Sequence, residues 1–283
     1  MDTLICYSVK ANSNLTILNT LKENGAGFDI VSGGELYRVL KINADRKKIV
    51  FAGVGKNEKE IEYAIKENIL LFNVESKGEL KLIDKIAGKL KKKQDVALRI
   101  NPDVDIITHE YTKTGKRENK FGIDIPLAFN LFKSAKRYKH INIKGIHIHI
   151  GSQILTPEPY LEAIIKITKF ITELRKNKIF IEYLNIGGGM GIIYNEERPT
   201  TADQFAQSIR PHIDGLNIKI ILEPGRFIIG NGGVLVTKIL YNKKGIKKDF
   251  LIVDAGMNDL ICLLYTSDAA DELDGVDLGG RRI

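Results

Sequence analysis

The sequence lacks the features that mark a membrane or secreted protein. No run of about 18 apolar residues, the length that a membrane-spanning helix needs, occurs in the chain. The first residues lack the charged region, apolar core and cleavage site of a secretory signal. Only two cysteines are present, Cys6 and Cys262, so no disulfide framework is expected. These absences predict a cytoplasmic protein that does not contact a membrane.

Features of a nucleic-acid site are also missing. The formal net charge is +8, but the lysines are scattered, apart from a short run at residues 89–93. Basic and aromatic residues are not interleaved in a way that would form a stacking platform for bases. We therefore expect a small-molecule partner and no nucleic acid.

Short apolar runs alternate with amphipathic helical patterns along most of the chain. Strands are predicted near residues 4–9, 26–31, 49–52, 70–74, 95–100, 143–150, 182–186 and 218–222. Helices are predicted near residues 14–24, 34–42, 57–67, 77–89, 126–137, 159–176 and 202–213. This order predicts an α/β fold with a parallel sheet, and eight strands of this spacing favour a (β/α)8 barrel. An open, doubly wound sheet is the alternative.

The pattern changes after residue 225, which predicts a second domain. Residues 227–241 and 249–254 have the character of strands, with a turn at 242–245 and no helix between them. We therefore predict a barrel over residues 1–225 and the start of an antiparallel β domain over residues 226–261.

The last 22 residues differ from the rest in composition. No lysine follows Lys248, whereas acidic residues crowd together between 268 and 277. The string from Cys262 to Glu272 resembles the translation of a sequencing-library adapter. Residues 262–283 are therefore predicted to be non-native, with an ordinary acidic tail as the alternative.

The first predicted strand leads into a lysine. Leu4–Val9 is apolar on both faces, and Lys10 follows at its C-terminal end, where barrels carry their chemistry. An apolar wall lowers the pKa of a lysine, and a neutral amine can attack an aldehyde to form a Schiff base. A lysine that merely reaches from a strand end into solvent is the alternative.

Two further strand ends carry candidate polar groups. Asp29 lies before a glycine turn and a helix whose predicted N-cap is Ser32. Arg99 ends another strand, where it can face the barrel mouth or pair locally. Residues 108–122 form a long polar stretch that in isolation reads as a surface loop.

A pair of histidines lies in the segment Gly145–Gln153. Strand alternation places His147 and His149 on one face. Two histidines at this spacing can bind a metal, but no third ligand is evident, so no metal is expected. Histidines of an ordinary core are the alternative.

Two motifs near the end of the barrel can bind anions. Adjacent glycines at 187–189 expose backbone N–H groups that can bind a phosphate. The motif Glu223-Pro-Gly-Arg226 supplies a carboxylate, a backbone N–H and a guanidinium that binds phosphate or carboxylate in bidentate fashion. A turn with a surface Glu–Arg pair is the alternative.

Taken together, these motifs resemble those of a known enzyme family. Residues 7–12, 145–153, 184–191 and 223–226 resemble the motifs of alanine-racemase-like barrel enzymes that use pyridoxal 5'-phosphate. The loop over residues 108–122 resembles that of the diaminopimelate decarboxylase branch. The resemblance extends over residues 4–261.

The resemblance implies a role for each candidate residue. Lys10, His149 and Glu223 would be catalytic: Lys10 binds the cofactor, His149 stacks on its ring, and Glu223 faces its pyridine nitrogen. The other implied contacts are Asp29 near the lysine, Arg99 near the ring oxygen or the lysine, Ser152, Gly188, Gly189 and Gly225 at the phosphate, and Arg226 at the phosphate or a substrate carboxylate.

The implied reaction is decarboxylation of meso-2,6-diaminopimelate to L-lysine by a homodimeric parent protein. Family members have a segment before the lysine strand, and substrate-binding and interface residues beyond position 261, which are not found here. We therefore expect a fragment that is not a competent enzyme by itself. A decarboxylase of another basic amino acid, a non-catalytic pyridoxal-phosphate carrier and a barrel for another phosphorylated ligand remain alternatives.

Overall fold

The structure is a computed structural model, which describes residues 2–104, 121–194, 196–246, 248–256 and 259. Two compact units are present. The described residues within 1–192 and 198–230 form one unit, and those within 193–197 and 231–283 form the other. The predicted tail at 262–283 and most of the predicted polar loop lie outside the described residues. The predicted domain boundaries stay a prediction.

The first unit contains a closed parallel barrel, which confirms the predicted fold class. Eight strands close the ring in the order β4-β3-β2-β1-β9-β8-β7-β5, because β4 also pairs with β5. A short strand, β6, pairs with the end of β5. The strands are β1 Thr3–Ser8, β2 Gly27–Ile30, β3 Ile49–Phe51, β4 Leu71–Val74, β5 Gln94–Asn101, β6 Ile123–Asp124, β7 Ile141–His147, β8 Tyr183–Asn185 and β9 Lys219–Leu222.

Helices follow most of the strands, near the predicted positions. They are α1 Leu15–Glu23, α2 Gly33–Lys41, α3 Glu58–Lys66, α4 Lys77–Lys89, α5 Ile125–Lys133, α6 Glu158–Lys176, α7 Ala202–Ile213 and α8 Arg226–Ile229. The predicted helix near 126–137 ends earlier, because Ser134 closes α5 and a 3-10 turn follows at Ala135–Arg137. None of the helices in the described part of the chain is long and apolar enough to span a membrane.

Side-chain caps explain where several helices begin. Asn14, Ser32 and Ser76 accept hydrogen bonds from backbone N–H groups in the first turns of α1, α2 and α4. A reciprocal capping box joins Asn57 to Glu60 at the start of α3. Such caps satisfy N–H groups that have no partner within the helix, and each contributes about 1 kcal/mol.

The inside of the barrel is apolar in its lower part and polar above it. Leu4, Cys6, Val50, Leu71 and Ile221 form a small apolar cluster that is separate from the main core. Side chains along a strand alternate between its two faces, so residues two positions further along point inward as well. These residues include Ser8, Asn73 and Glu223, all buried. A polar layer therefore lies above the apolar one, at the C-terminal ends of the strands.

The second unit contains an antiparallel pair, β10 Ile239–Lys244 and β11 Asp249–Val253. The prediction of one strand over residues 227–241 is wrong. Residues 226–229 form α8, with Gly230 N–H donating to Arg226 O, and glycines at 230, 232 and 233 separate this helix from the strand. The predicted turn at 242–245 is also misplaced, because Asn242 pairs with Leu251 inside the ladder.

Candidate active site

Lys10 lies at the C-terminal end of β1, in a 3-10 turn over Val9–Ala11. The residue is exposed and is not held against an apolar wall. The turn carries it beyond the sheet, where its charge acts on Asp29, Glu35 and His149. Lys10 is therefore a solvent-accessible amine that faces titratable groups at the barrel mouth.

Asp29 is buried at the inward-facing side of β2. Its Oδ2 accepts a hydrogen bond from the Ser8 hydroxyl, and its Oδ1 has no hydrogen-bond partner among the described residues. Burial and the charge of Glu223 raise the pKa of Asp29 well above its usual range, while Lys10 acts in the opposite direction. Asp29 is thus a carboxyl with one oxygen still able to bind a ligand.

Glu223 is the centre of a buried hydrogen-bond network in the polar layer. Its Oε1 accepts from Asn73 Nδ2 at 2.8 Å and from Asn185 Nδ2 at 2.5 Å. Its Oε2 lies 3.1 Å from His147 Nε2. Burial raises the pKa of Glu223, but the charge of His147 and the hydrogen bonds from His147 and Asn185 outweigh it and lower the pKa to about 2. Glu223 is therefore ionised although it is buried.

The two asparagines are themselves held in place. Asn185 Oδ1 accepts the N–H of Gly187 at 2.9 Å, which fixes the amide so that its nitrogen faces Glu223. The backbone carbonyl of Asn73 accepts from the buried ammonium of Lys56 at 2.8 Å. Both amides are thus oriented by groups outside the Glu223 network.

His149 lies in the loop that follows β7. The strand ends at His147, so His149 does not continue the strand face as the alternation predicted. Its Nδ1 accepts the N–H of Gly188 at 3.1 Å. Burial, Lys10 and Arg99 lower the pKa of His149 well below its usual range. A neutral imidazole with its hydrogen on Nε2 satisfies both observations.

Arg99 is buried at the end of β5. Its NH1 lies 2.5 Å from Glu75 Oε1, its NH2 donates to His149 O at 3.4 Å, and its guanidinium stacks 4.6 Å from the Phe121 ring centre. Glu75 Oε2 in turn accepts the N–H of Gly122 at 2.9 Å. Arg99 thus pairs locally while remaining next to the histidine loop.

The glycines after β8 allow two loops to approach closely. A Cβ on Gly188 would lie 2.0 Å from the carbonyl oxygen of Glu223, and one on Gly187, at φ +71°, would lie 2.5 Å from Ile148 O. The N–H groups of Gly187 and Gly188 donate to Asn185 and His149. In this structure these two N–H groups therefore orient side chains. The contact of Gly188 with a phosphate stays a prediction.

The Glu-Pro-Gly-Arg turn packs against the lysine turn. Ser8 N–H donates to Pro224 O at 3.0 Å. A Cβ on Gly225 would lie 3.0 Å from Ser8 Cβ and 3.2 Å from Ala11 Cβ, so glycine permits this approach. Arg226 is half-buried at the first position of α8, and Ser152 is half-buried in the loop after β7.

The sequence reasoning gave no role to four buried polar residues, Ser8, Asn73, Glu75 and Asn185. For two of them, Asn73 and Asn185, the sequence contained a signal. A single asparagine interrupts each of the apolar strands β4 (LFNV) and β8 (YLN), and a buried asparagine needs hydrogen-bond partners. Among the described residues, no group of three or more His, Cys, Asp or Glu side chains is arranged to hold a metal ion.

Comparison with known proteins places this geometry in a family. Residues 1–230 match the family model described as "Pyridoxal-dependent decarboxylase, pyridoxal binding domain". The chain is 49% identical over 261 residues to a diaminopimelate decarboxylase of Aquifex aeolicus, covering 92% of this chain and 62% of that protein. It is 45% identical to a diaminopimelate decarboxylase of Pseudomonas aeruginosa, with 92% and 63% covered.

Solved structures agree with these sequence matches. The structure of Helicobacter pylori diaminopimelate decarboxylase in complex with L-lysine superposes with a TM-score of 0.89 at 45% identity, over 94% of this chain and 67% of that one. The chain spans about 62–63% of the length of the curated Aquifex and Pseudomonas relatives. By its sequence and by its barrel, the chain belongs to the pyridoxal-dependent decarboxylases and contains their pyridoxal-binding domain.

Proposed function

We propose that this chain binds pyridoxal 5'-phosphate and forms the cofactor-binding part of a diaminopimelate decarboxylase, which converts meso-2,6-diaminopimelate to L-lysine and CO2 in lysine biosynthesis. The observation that carries the proposal is Glu223, a buried and ionised carboxylate held by three donors in the barrel. The names of the relatives at 43–49% identity support the choice of substrate.

The polar layer fits such a cofactor in the part of the chain that the structure describes. Asp29 Oδ1, Asn73 Oδ1 and His147 Nδ1 are buried there without a hydrogen-bond partner. Buried polar atoms nearly always have a protein, water or ligand partner, so this layer is suited to a polar ligand. Lys10 offers an amine for an aldehyde, and Glu223 offers a carboxylate for a ring nitrogen.

Pyridoxal phosphate, when bound, withdraws electrons from the substrate carbon that loses its carboxylate. The chain's own residues prepare the site for this chemistry. Glu223 holds negative charge inside the barrel, which favours a proton on a ring nitrogen beside it. His149 presents a neutral ring whose orientation the Gly188 N–H fixes. Lys10 supplies the attaching amine from an exposed turn.

Other residues would bind the charged ends of the ligands. We assign Arg226 to a phosphate or a substrate carboxylate, because a guanidinium can bind either group in bidentate fashion. Ser152, Gly189 and Gly225 are assigned to the phosphate, and Asp29 and Arg99 to the surroundings of the lysine and the ring. A homodimeric assembly, a cytoplasmic location, the domain boundaries and a non-native tail stay predictions.

Cofactor binding tests the proposal directly. The purified chain with pyridoxal phosphate should show near-visible absorbance that borohydride removes, and mass spectrometry should locate the reduced adduct on Lys10. Lys10→Ala should lose the adduct, while Lys66→Ala, at an exposed position of α3, should keep it. An adduct that persists on another lysine in Lys10→Ala would refute the assignment.

Turnover tests the substrate in a second experiment. The chain would be joined to the segments of the Helicobacter pylori relative that lie outside the matched region. Release of CO2 should be fastest from meso-2,6-diaminopimelate and at least about tenfold slower from L-lysine and L-ornithine, a difference of about 1.4 kcal/mol. A preference for L-lysine or L-ornithine would instead support a decarboxylase of another basic amino acid.

A further inference from the structure

The hydrogen bonds to Glu223 divide its two oxygens between different kinds of donor. Oε1 accepts from two amides, Asn73 and Asn185, which do not titrate. Oε2 faces His147 Nε2 at 3.1 Å. The three donors come from β4, β8 and β7, so they approach the carboxylate from different sides of the barrel. Only the histidine among them can also supply a positive charge.

His147 is buried together with Glu223 and is hydrogen-bonded to it. The histidine is 1% exposed and Glu223 is 5% exposed, so water screens their interaction only weakly. His147 Nδ1 has no hydrogen-bond partner among the described residues. Among the described residues, the hydrogen bond of the ring is therefore the one to Glu223 Oε2, and a proton on Nδ1 would leave that bond intact.

Other titratable groups also interact with Glu223. Asp29 on β2 and the Cys6 thiol on β1 interact with it as acids, and His149 after β7 interacts as a base. Lys10 and Arg99 act on His149. His147 is the member of this set that is hydrogen-bonded to the carboxylate.

We propose that His147 is a positioning residue for the decarboxylase site: it fixes the Oε2 side of Glu223 and keeps this carboxylate ionised inside the barrel. The functional part of this inference rests on the proposed function, because an ionised Glu223 supports a cofactor whose ring nitrogen holds a proton. The interaction itself involves only residues of this chain. It can therefore be measured without cofactor or substrate.

The first experiment follows the titration of Glu223 by carbon-13 NMR of protein labelled at the glutamate carboxyl carbons, without cofactor. Glu223→Gln identifies the signal by its absence. An opposite charge within about 4–6 Å lowers a carboxyl pKa by about 1–3 units, so His147→Leu should raise the Glu223 midpoint by about that amount. His147→Gln keeps an N–H donor without the charge and should give an intermediate midpoint.

His212→Gln is the matched control. His212 is exposed on α7, and this change should leave the Glu223 midpoint at its wild-type value. If His147→Leu does not fold, as judged by its amide spectrum, His147→Gln decides the question. A Glu223 midpoint that is the same in wild type and in every folded His147 variant would overturn the proposal.

A second measurement separates this inference from the proposed function. In the chimeric enzyme, His147→Gln should lower kcat and move the acidic limb of the kcat profile to higher pH, with a smaller change in KM. If the chain never forms a borohydride-reducible adduct, the proposed function fails, yet the NMR titration still decides whether His147 controls Glu223. If the adduct forms and the midpoint is unchanged, the positioning role alone fails.

Discussion

The backbone N–H of Gly188 donates a hydrogen bond to Nδ1 of His149 at 3.1 Å. A second contact, separate from this bond, requires a glycine at this position. A Cβ on Gly188 would lie 2.0 Å from Glu223 O, so a larger residue would push the loop away from β9. The glycine thus links the orientation of the histidine to the position of the acidic turn.

Replacing Gly188 with alanine should therefore damage both stability and cofactor binding. Overpacking of a tight contact costs about 1–3 kcal/mol, which should appear in the free energy of unfolding measured with urea. Borohydride trapping should show weaker binding of pyridoxal phosphate. Gly55→Ala is the control, because a Cβ there meets nothing within 4 Å. Equal stability of Gly188→Ala and wild type would contradict the contact.

Glu223 should make the protein sensitive to acid. Its pKa falls from 4.5 to about 2 on folding, so the stabilisation is fully present above pH 4.5 and is lost as the pH falls through about 2. The loss is on the order of 3 kcal/mol. Glu223→Gln should have a flatter dependence of unfolding free energy on pH over this window, measured by urea unfolding at each pH.

Asp29 should change the pH dependence of the unfolding free energy in the direction opposite to Glu223. Its pKa in the folded protein is raised, so it costs no stability below its unfolded value of 3.8, destabilises the fold increasingly as the pH rises above 3.8, and reaches its full cost above the folded pKa. Asp29→Asn should therefore gain stability relative to wild type as the pH rises above 3.8. If the two proteins show the same dependence on pH, the carboxyl is not held in a protonated state by burial.

Much of the barrel could be predicted from the sequence because its strands are apolar on both faces. β1 and β4 were predicted to within one residue. β4 is buried on both faces, as expected for a barrel strand, whereas Thr3 and Ile5 at the start of β1 are exposed. The hairpin at 239–253 was placed less well. Its strand begins at Ile239, and most of its side chains are exposed, so no buried face sets its boundaries.

The site was predicted less completely, for a physical reason. Motifs identify residues at strand ends, such as Lys10 and Glu223, but they do not show which side chains a closed barrel brings together. Asn73 and Glu223 are 150 positions apart in the chain and 2.8 Å apart in the structure. The exposure of Lys10 could not be predicted from the strand pattern, because the 3-10 turn after β1 moves it beyond the sheet.

The buried pair of Arg99 and Glu75 should be important for stability. Glu75→Gln would leave a buried guanidinium without its counter-charge, which costs about 3–5 kcal/mol. The Gly122 N–H would still find an acceptor in the glutamine carbonyl, so the loss reports mainly on the charge. Glu62→Gln removes a surface partner of Lys66 and should be indistinguishable from wild type in the same urea experiment. An equally small effect at Glu75 would rule out a desolvated pair.

The buried ammonium of Lys56 should stabilise the fold. Its ammonium is fully buried and donates to Gly53 O, Asn73 O and Glu79 Oε1 at 2.7–2.8 Å. Lys56→Met would leave the Glu79 carboxylate buried and unpaired, so the unfolding free energy should fall by about 3–5 kcal/mol.

Adding Glu79→Gln to Lys56→Met should recover part of this loss. Glutamine carries no charge, and its carbonyl can still accept the N–H of Glu75, which now donates to Glu79 Oε2 at 2.9 Å. Urea unfolding of the wild type, both single variants and the double variant forms a complete cycle, in which contacting residues are expected to deviate from additivity by about 0.5–3 kcal/mol. Strict additivity would mean that the ammonium and the carboxylate do not stabilise each other.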